Sequence, residues 1–271
     1  MKKRFSKIAI GFLALLMVAS LGWFGYNSFN TNNVPLAKAM LSPIPNPSIL
    51  GFLPDVGTVN DVVLSSDGNT AYLASDPFGV VAVDVSNPAA MKVLASQKPF
   101  GASNQVNISP DGKLAVAVQT PRGTDIVDIS NPTEFKVLSS IAGTSSDAVI
   151  SGSTLYLAIG GEVKIYNISN PASPNLLSTI TTPGSTQGLA ISGTNLLIAD
   201  GSSGFEIANV SIPANPSIIG SLSLGGGSAR KITCEGNNAY IANSTLMKLQ
   251  IINFSTPSAP ILASELNTSS A

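Results

Sequence analysis

Asn60-Asp61, Asn104-Gln105, Ser146-Asp147, Gln187-Gly188 and Arg230-Lys231 are polar pairs, each at the head of a short strand-like segment, recurring about every forty residues. Brought to one mouth, Asn60, Asp61, Asn104, Gln105, Asp147, Gln187, Arg230 and Lys231 would set two carboxylates, several amides and two cations around a small volume. Such a set suits hydrogen bonding to a small polar ligand, or capture of a cation. Asp76, Arg122 and Asp200 fall in loops expected on the same rim. The competing reading is a channel that is wet and polar with no ligand of its own. Calcium would use Asp61 and Asp147 together with carbonyl oxygens. No dense Asp-x-Asp loop supports that, and Arg230 and Lys231 oppose it, so no metal or other cofactor is expected.

Other chemistries are excluded by residue type. The chain has no His and a single Cys, Cys234, so neither a Ser-His-Asp nor a Cys-His site can be built, and zinc lacks its usual ligands. A general acid–base pair would need carboxylates or a lysine. Asp61 and Asp147 are the nearest candidates, and their spacing fits salt-pairing with Arg230 equally well. The Gly225-Gly226-Gly227 run precedes a strand-like segment and opens no helix, so it is no phosphate loop. Cys234 aligns with Leu64, Ile108, Ile150 and Ile191 and reads as a core residue.

The elements that would carry the polar pairs follow from a repeat. Ser86-Asn87-Pro88, Ser130-Asn131-Pro132, Ser169-Asn170-Pro171, Ser211-Ile212-Pro213 and Ser255-Thr256-Pro257 mark its units. Each unit holds the same segments in the same order. An inner strand (DVVLS, 61–65, in the first unit) is followed by a Gly or Asp-Gly turn, then a second strand (AYLAS, 71–75). A third strand (VVAVDVS, 80–86) ends at the Pro corner, and a short fourth strand follows (KVLASQ, 92–97). Proline cannot donate to a sheet ladder and is driven to corners. The preceding Asp84, Asp128, Asn167, Asn209 or Asn253 can accept a bond from the turning backbone. Four short strands per unit, with no helical period between them, predict blades of a β-propeller.

VVAVDVSNP, DIVDISNP and VKIYNISNP resemble the LVIVD repeat, found in propeller-like proteins of bacterial and archaeal cell surfaces, and IANVSIPANP and INFSTPSAP are degenerate copies. The resemblance covers about 60–266 and implies a fold; it implies no single reaction and carries over no catalytic residue. The fold expected is all-β, a propeller of four-stranded antiparallel blades over 43–271, with five blades and with six, or completion by another chain, as alternatives. NPSILGFLP (46–54) matches NPSIIGSLS (215–223), and is expected to dock on the last unit, competing with ILASEL (261–266) for one edge. An unpaired edge also makes oligomers possible.

Composition sets the surroundings. Apolar residues make up 44 % and charged residues 11 %, with a net charge of −1. Lys2, Lys3, Arg4 and Lys7 cluster at the N-terminus, leaving the remainder acidic and without a footprint for nucleic acid. Residues 8–26 then run without a charge, long enough for a hydrophobic helix that spans a bilayer, with the basic flank inside. Residues 1–26 are read as a signal-anchor, or as a signal peptide if cleaved, and 27–42 as a polar linker. Three functions follow as expectations. The first is an extracytoplasmic binding module, membrane-anchored or secreted, for a protein or polysaccharide partner of the cell envelope. The second is a channel-site hydrolase or lyase using Asp61 and Asp147 with a bound cation, and the third a structural envelope protein with no ligand.

Overall fold

The computed structural model describes residues 49–53, 55–97, 103–119 and 121–268. The expected N-terminal helix at 8–26 and the linker at 27–42 lie outside the described residues, among which no helix is long and apolar enough to cross a membrane. The chain forms five four-stranded sheets, each taken in chain order. The first blade is β1 (Thr58–Leu64), β2 (Thr70–Asp76), β3 (Gly79–Asp84) and β4 (Lys92–Gln97). The second is β5 (Ser103–Ile108), β6 (Leu114–Gln119), β7 (Gly123–Asp128) and β8 (Lys136–Ile141). The third is β9 (Asp147–Ser151), β10 (Thr154–Ile159), β11 (Glu162–Asn167) and β12 (Asn175–Thr181). The fourth is β13 (Gly188–Ser192), β14 (Asn195–Ala199), β15 (Phe205–Asn209) and β16 (Ser217–Leu222). The fifth is β17 (Ala229–Glu235), β18 (Asn238–Asn243), β19 (Lys248–Asn253) and β20 (Ile261–Asn267). This is a five-bladed, all-β propeller, as the repeat predicts.

Successive side chains of a strand point to opposite faces, so an apolar run covers both faces of its sheet. In β14, Leu196 and Ile198 turn to the third blade, packing near Tyr156 and Ile165. Leu197 and Ala199 turn to the fifth, with Ile241 and Ile252. The same division builds the buried layers between the first and second blades and between the second and third. Inner strands β1, β5, β9, β13 and β17 run side by side in that order.

The corners form as expected in every blade. Ser86, Ser130, Ser169, Ser211 and Ser255 donate their backbone N–H to Oδ1 of Asp84, Asp128, Asn167, Asn209 and Asn253, over 2.8–3.1 Å. In the SNP copies the Asn makes a second turn, with Asn87, Asn131 and Asn170 accepting from Ala89, Thr133 and Ala172. The serine hydroxyls hold Asp84 and Asp128 below the usual carboxylate range.

The N-terminal segment departs from expectation. Residues 49–53 join no sheet, and the last sheet keeps β20 as its outer strand. Leu53 and Val56 pack instead on the first blade, beside Leu73, Val81 and Val83. The reason lies in the repeat itself. Gly51 abuts the Pro88 carbonyl of the first blade as Gly220, in the matching segment, abuts that of Pro257 in the fifth. The segment therefore keeps an outer-strand contact with the blade that follows it. No described buried layer joins the fifth blade to the first.

Asn209→Asp should leave stability unchanged, because it keeps the Oδ1 acceptor that Asp128 already supplies in another blade. Asn209→Ala removes two hydrogen bonds and should lower the unfolding free energy by roughly 0.5–1.5 kcal/mol in urea titration.

Candidate functional site at the channel mouth

The polar pairs sit where the inner strands begin. In β1, β5 and β17 the ladder with the second strand is broken by a bulge at Asn60, Asn104 and Arg230. A bulged residue leaves the alternation of its strand and is re-aimed. All three are exposed. The next residues, Asp61, Gln105 and Lys231, are half-buried, and Asp147 is nearly fully buried.

Asp61 accepts from its neighbour Val62 N at 3.0 Å and, across the joint, from Val106 N of the second blade at 3.1 Å. Asn60 Nδ2 reaches the same strand, donating to the Ser103 carbonyl at 3.0 Å. Asp147 repeats the arrangement, accepting from Ala148 N at 2.7 Å and from Leu189 N of the fourth blade at 2.9 Å. Both oxygens of each carboxylate are thereby engaged by backbone N–H groups on two blades. Burial raises both acids above the usual carboxylate range, and the Lys231 ammonium pulls both back. Gln105 donates to Asp147, while its buried Oε1 has no partner among the described residues. Gly188 occupies the fourth blade's position, and the Arg230 backbone presses close where a side chain would stand.

Asp61, Gln105, Asp147 and Lys231 thus converge, contributed by four blades. The remaining candidates do not join them. Gln187 turns to its own loop, donating to Ser185 Oγ at 2.9 Å. Asp76 and Arg122 are exposed on the rim. Asp200 is fully buried and acts as an anchor, not a rim group. It accepts from Thr182 Oγ1 at 2.8 Å and Gly184 N at 2.6 Å, pinning the loop that enters the fourth blade. Cys234 packs against the layer between the fourth and fifth blades, as expected. No group of three or more potential metal-ligating His, Cys, Asp or Glu side chains occurs among the described residues.

Asp200 belongs to a station that sequence reading missed. In the second, fourth and fifth blades the residue at or just past the end of the second strand and a residue of the third strand are both polar and lie on one face. In the second blade Gln119 donates to Asp125 at 2.7 Å. In the fifth, Asn243 donates to Gln250 at 3.1 Å. The fourth blade has Asp200 and Glu206. Glu206 is 5 % exposed, and its Oε2 has no partner among the described residues. Burial, with the Asp200 charge beside it, pushes Glu206 up to about 7. The available signal was an acid inside the apolar run FEIANVS, aligned with Asp125 and Gln250.

The LVIVD repeat matches residues 56–97, 114–141, 142–182, 183–223 and 226–268. The chain belongs to the LVIVD repeat family. Among solved structures, this LVIVD chain is similar to a protein from Lactobacillus plantarum, 14 % identical, with a TM-score of 0.71 over 80 % of this chain and 73 % of that one. A functionally unknown protein from Desulfotomaculum acetoxidans is 16 % identical, with a TM-score of 0.65 over 77 % and 70 %. The periplasmic gluconolactonase PpgL of Pseudomonas aeruginosa is 15 % identical, with a TM-score of 0.63 over 78 % and 71 %. At these identities the likeness is one of fold alone. No curated protein matches the sequence.

Two outcomes test this description of the LVIVD mouth. Asp147→Ala leaves the Leu189 and Ala148 N–H groups without their acceptor and should destabilise the chain by roughly 1–3 kcal/mol for each buried donor, read by urea unfolding. Glu206 binds its proton more tightly folded than unfolded, so its contribution is full below about pH 4.5 and is lost as pH rises to about 7. With chelator present, wild-type stability measured relative to Glu206→Gln should fall between pH 4.5 and pH 8, by up to about 3 kcal/mol.

Proposed function

We propose that this chain is an extracytoplasmic binding module, anchored by or released from its N-terminal segment, that meets a protein or polysaccharide partner of the cell envelope through the channel mouth. The observation that carries the reading is the division of labour there. Asp61 and Asp147 have both oxygens bonded to backbone N–H groups, and the single Lys231 ammonium partly offsets the charge of the pair. Acids so engaged are held as part of the joint between blades, which weighs against the hydrolase or lyase reading. Asn60, Asn104 and Arg230, by contrast, stand at bulges and are exposed, and Gln105 brings behind them an acceptor with no partner among the described residues.

Hydroxyl-rich or amide-rich surfaces match those groups, since Asn and Arg offer donors in fixed geometry and the amide oxygens accept. The apolar run behind a basic N-terminus supports placement outside the membrane.

A panel of envelope polysaccharides, with immobilised full-length chain, tests the reading. Binding should fall tenfold or more in Asn104→Ala/Arg230→Ala at unchanged melting temperature. Hydrolytic turnover of any panel member that disappears in Asp61→Asn/Asp147→Asn, with the fold intact by circular dichroism, would overturn the non-enzymatic reading.

A further inference from the structure

The fourth blade differs from its neighbours at one buried station. In the second and fifth blades an amide faces the third-strand residue, so a donor meets an acceptor: Gln119 on Asp125, Asn243 on Gln250. The fourth blade sets Asp200 at the first position and Glu206 at the second, so neither position supplies a donor when both are ionised. Asp200 and Glu206 lie on one face of the sheet: Glu206 stands opposite Ile198 in the β14–β15 ladder, and Asp200 is two residues beyond Ile198. That face packs against the third blade's apolar residues Tyr156, Ile165 and Ile180. Asp200 is wholly buried, Glu206 is 5 % exposed, and Glu206 Oε2 has no partner among the described residues. Two buried carboxylates on one face of an apolar layer, close enough for the Asp200 charge to bear on Glu206, need a compensating positive charge.

The geometry points to a cation site between Asp200 and Glu206, of the class filled by calcium. All the donors at hand are oxygens, the preference of a hard cation. Beside the two carboxylates stand the hydroxyls of Thr182 and Thr186, both buried and both on Asp200 Oδ1, at 2.8 and 3.4 Å. A hydroxyl that donates to a carboxylate keeps lone pairs for a cation. Gly184 supplies the close approach: a side chain there would run into Asp200 and into Ser203 Oγ. The loop that Asp200 pins lies at the surface, with Pro183 and Ser185 exposed. Bound between the two carboxylates, a cation would tie the loop entering the fourth blade to that blade's third strand. The site shares no residue with the channel mouth cluster, and its test is independent of the partner proposed above.

The test is thermal melting of the purified full chain at pH 7.5, in chelator and then in calcium chloride, with Glu206→Gln and Asp200→Asn alongside. Calcium about a hundredfold above its dissociation constant should raise the wild-type melting temperature by roughly 5–10 °C, reversibly on chelation. Glu206→Gln should lose that rise while folding normally in chelator, since an amide relieves the unpaired acid. Asp200→Asn disturbs the loop anchor as well, so Glu206→Gln carries the decision if Asp200→Asn fails to fold. A calcium response kept in full by Glu206→Gln would overturn the site. So would no wild-type response to calcium with Glu206→Gln the more stable protein in chelator, which would leave a shared proton as the compensating charge.

Discussion

Each sheet in this molecule is apolar on both faces, and a single sheet has no means of covering either. Everything else follows from that demand. Leu196 and Ile198 need the third blade, Leu197 and Ala199 the fifth, and the same division recurs at each joint from the first blade to the fifth. The polar groups at the blade joints are arranged to permit this packing. Asp61 and Asp147 cap backbone N–H groups of the adjoining inner strand, which would otherwise be buried unpaired at the head of the joint. The carboxylates at the channel are in this sense part of the scaffold.

That assignment changes how the mouth is read. A cluster of raised acids beside a lysine in a channel invites a catalytic interpretation. Here the raising is a consequence of burial at a joint, and the lysine answers the charge left over. What faces outward is a set of bulged side chains, and bulges are the device by which a regular strand delivers a residue off its own alternation. The mouth therefore separates holding from presenting between adjacent residues: Asp61 holds and Asn60, although it also bonds to Ser103, stands exposed.

The blades, their order and their corners were legible because each is encoded within a short stretch. Alternation marks the strands, Gly and Asp-Gly the hairpins, and the Asx-Ser-x-Pro corner the third-strand end. Convergence of Asp61, Gln105, Asp147 and Lys231 was legible through register in the repeat. Their bonding was not, since the Val106 N–H that engages Asp61 belongs to another blade and carries no side-chain signal. The bulges were equally silent, because one extra residue in a strand leaves the apolar pattern after it intact. The expected docking of 46–54 on the last blade failed for a local reason: Gly51 keeps its repeat's contact with the following corner, at Pro88, and that places it on the first blade. Asp200 was taken for a rim group because a strand end looks solvent-facing in one dimension; the loop it pins covers it.

The threading of every sheet from axis to rim gives the molecule a mechanical polarity. The polypeptide enters a blade at its innermost strand and leaves at its outermost. Tension applied at the C-terminal end would bear on β20, an outer strand that can be peeled away one ladder bond after another. Tension arriving from the N-terminal side would bear on β1, an axial strand cross-linked to the second blade by Asn60 and Asp61. A pull from that side has to break these joint bonds as well as the ladder to β2, so the beginning of the propeller is tied to two blades where its end is tied to one.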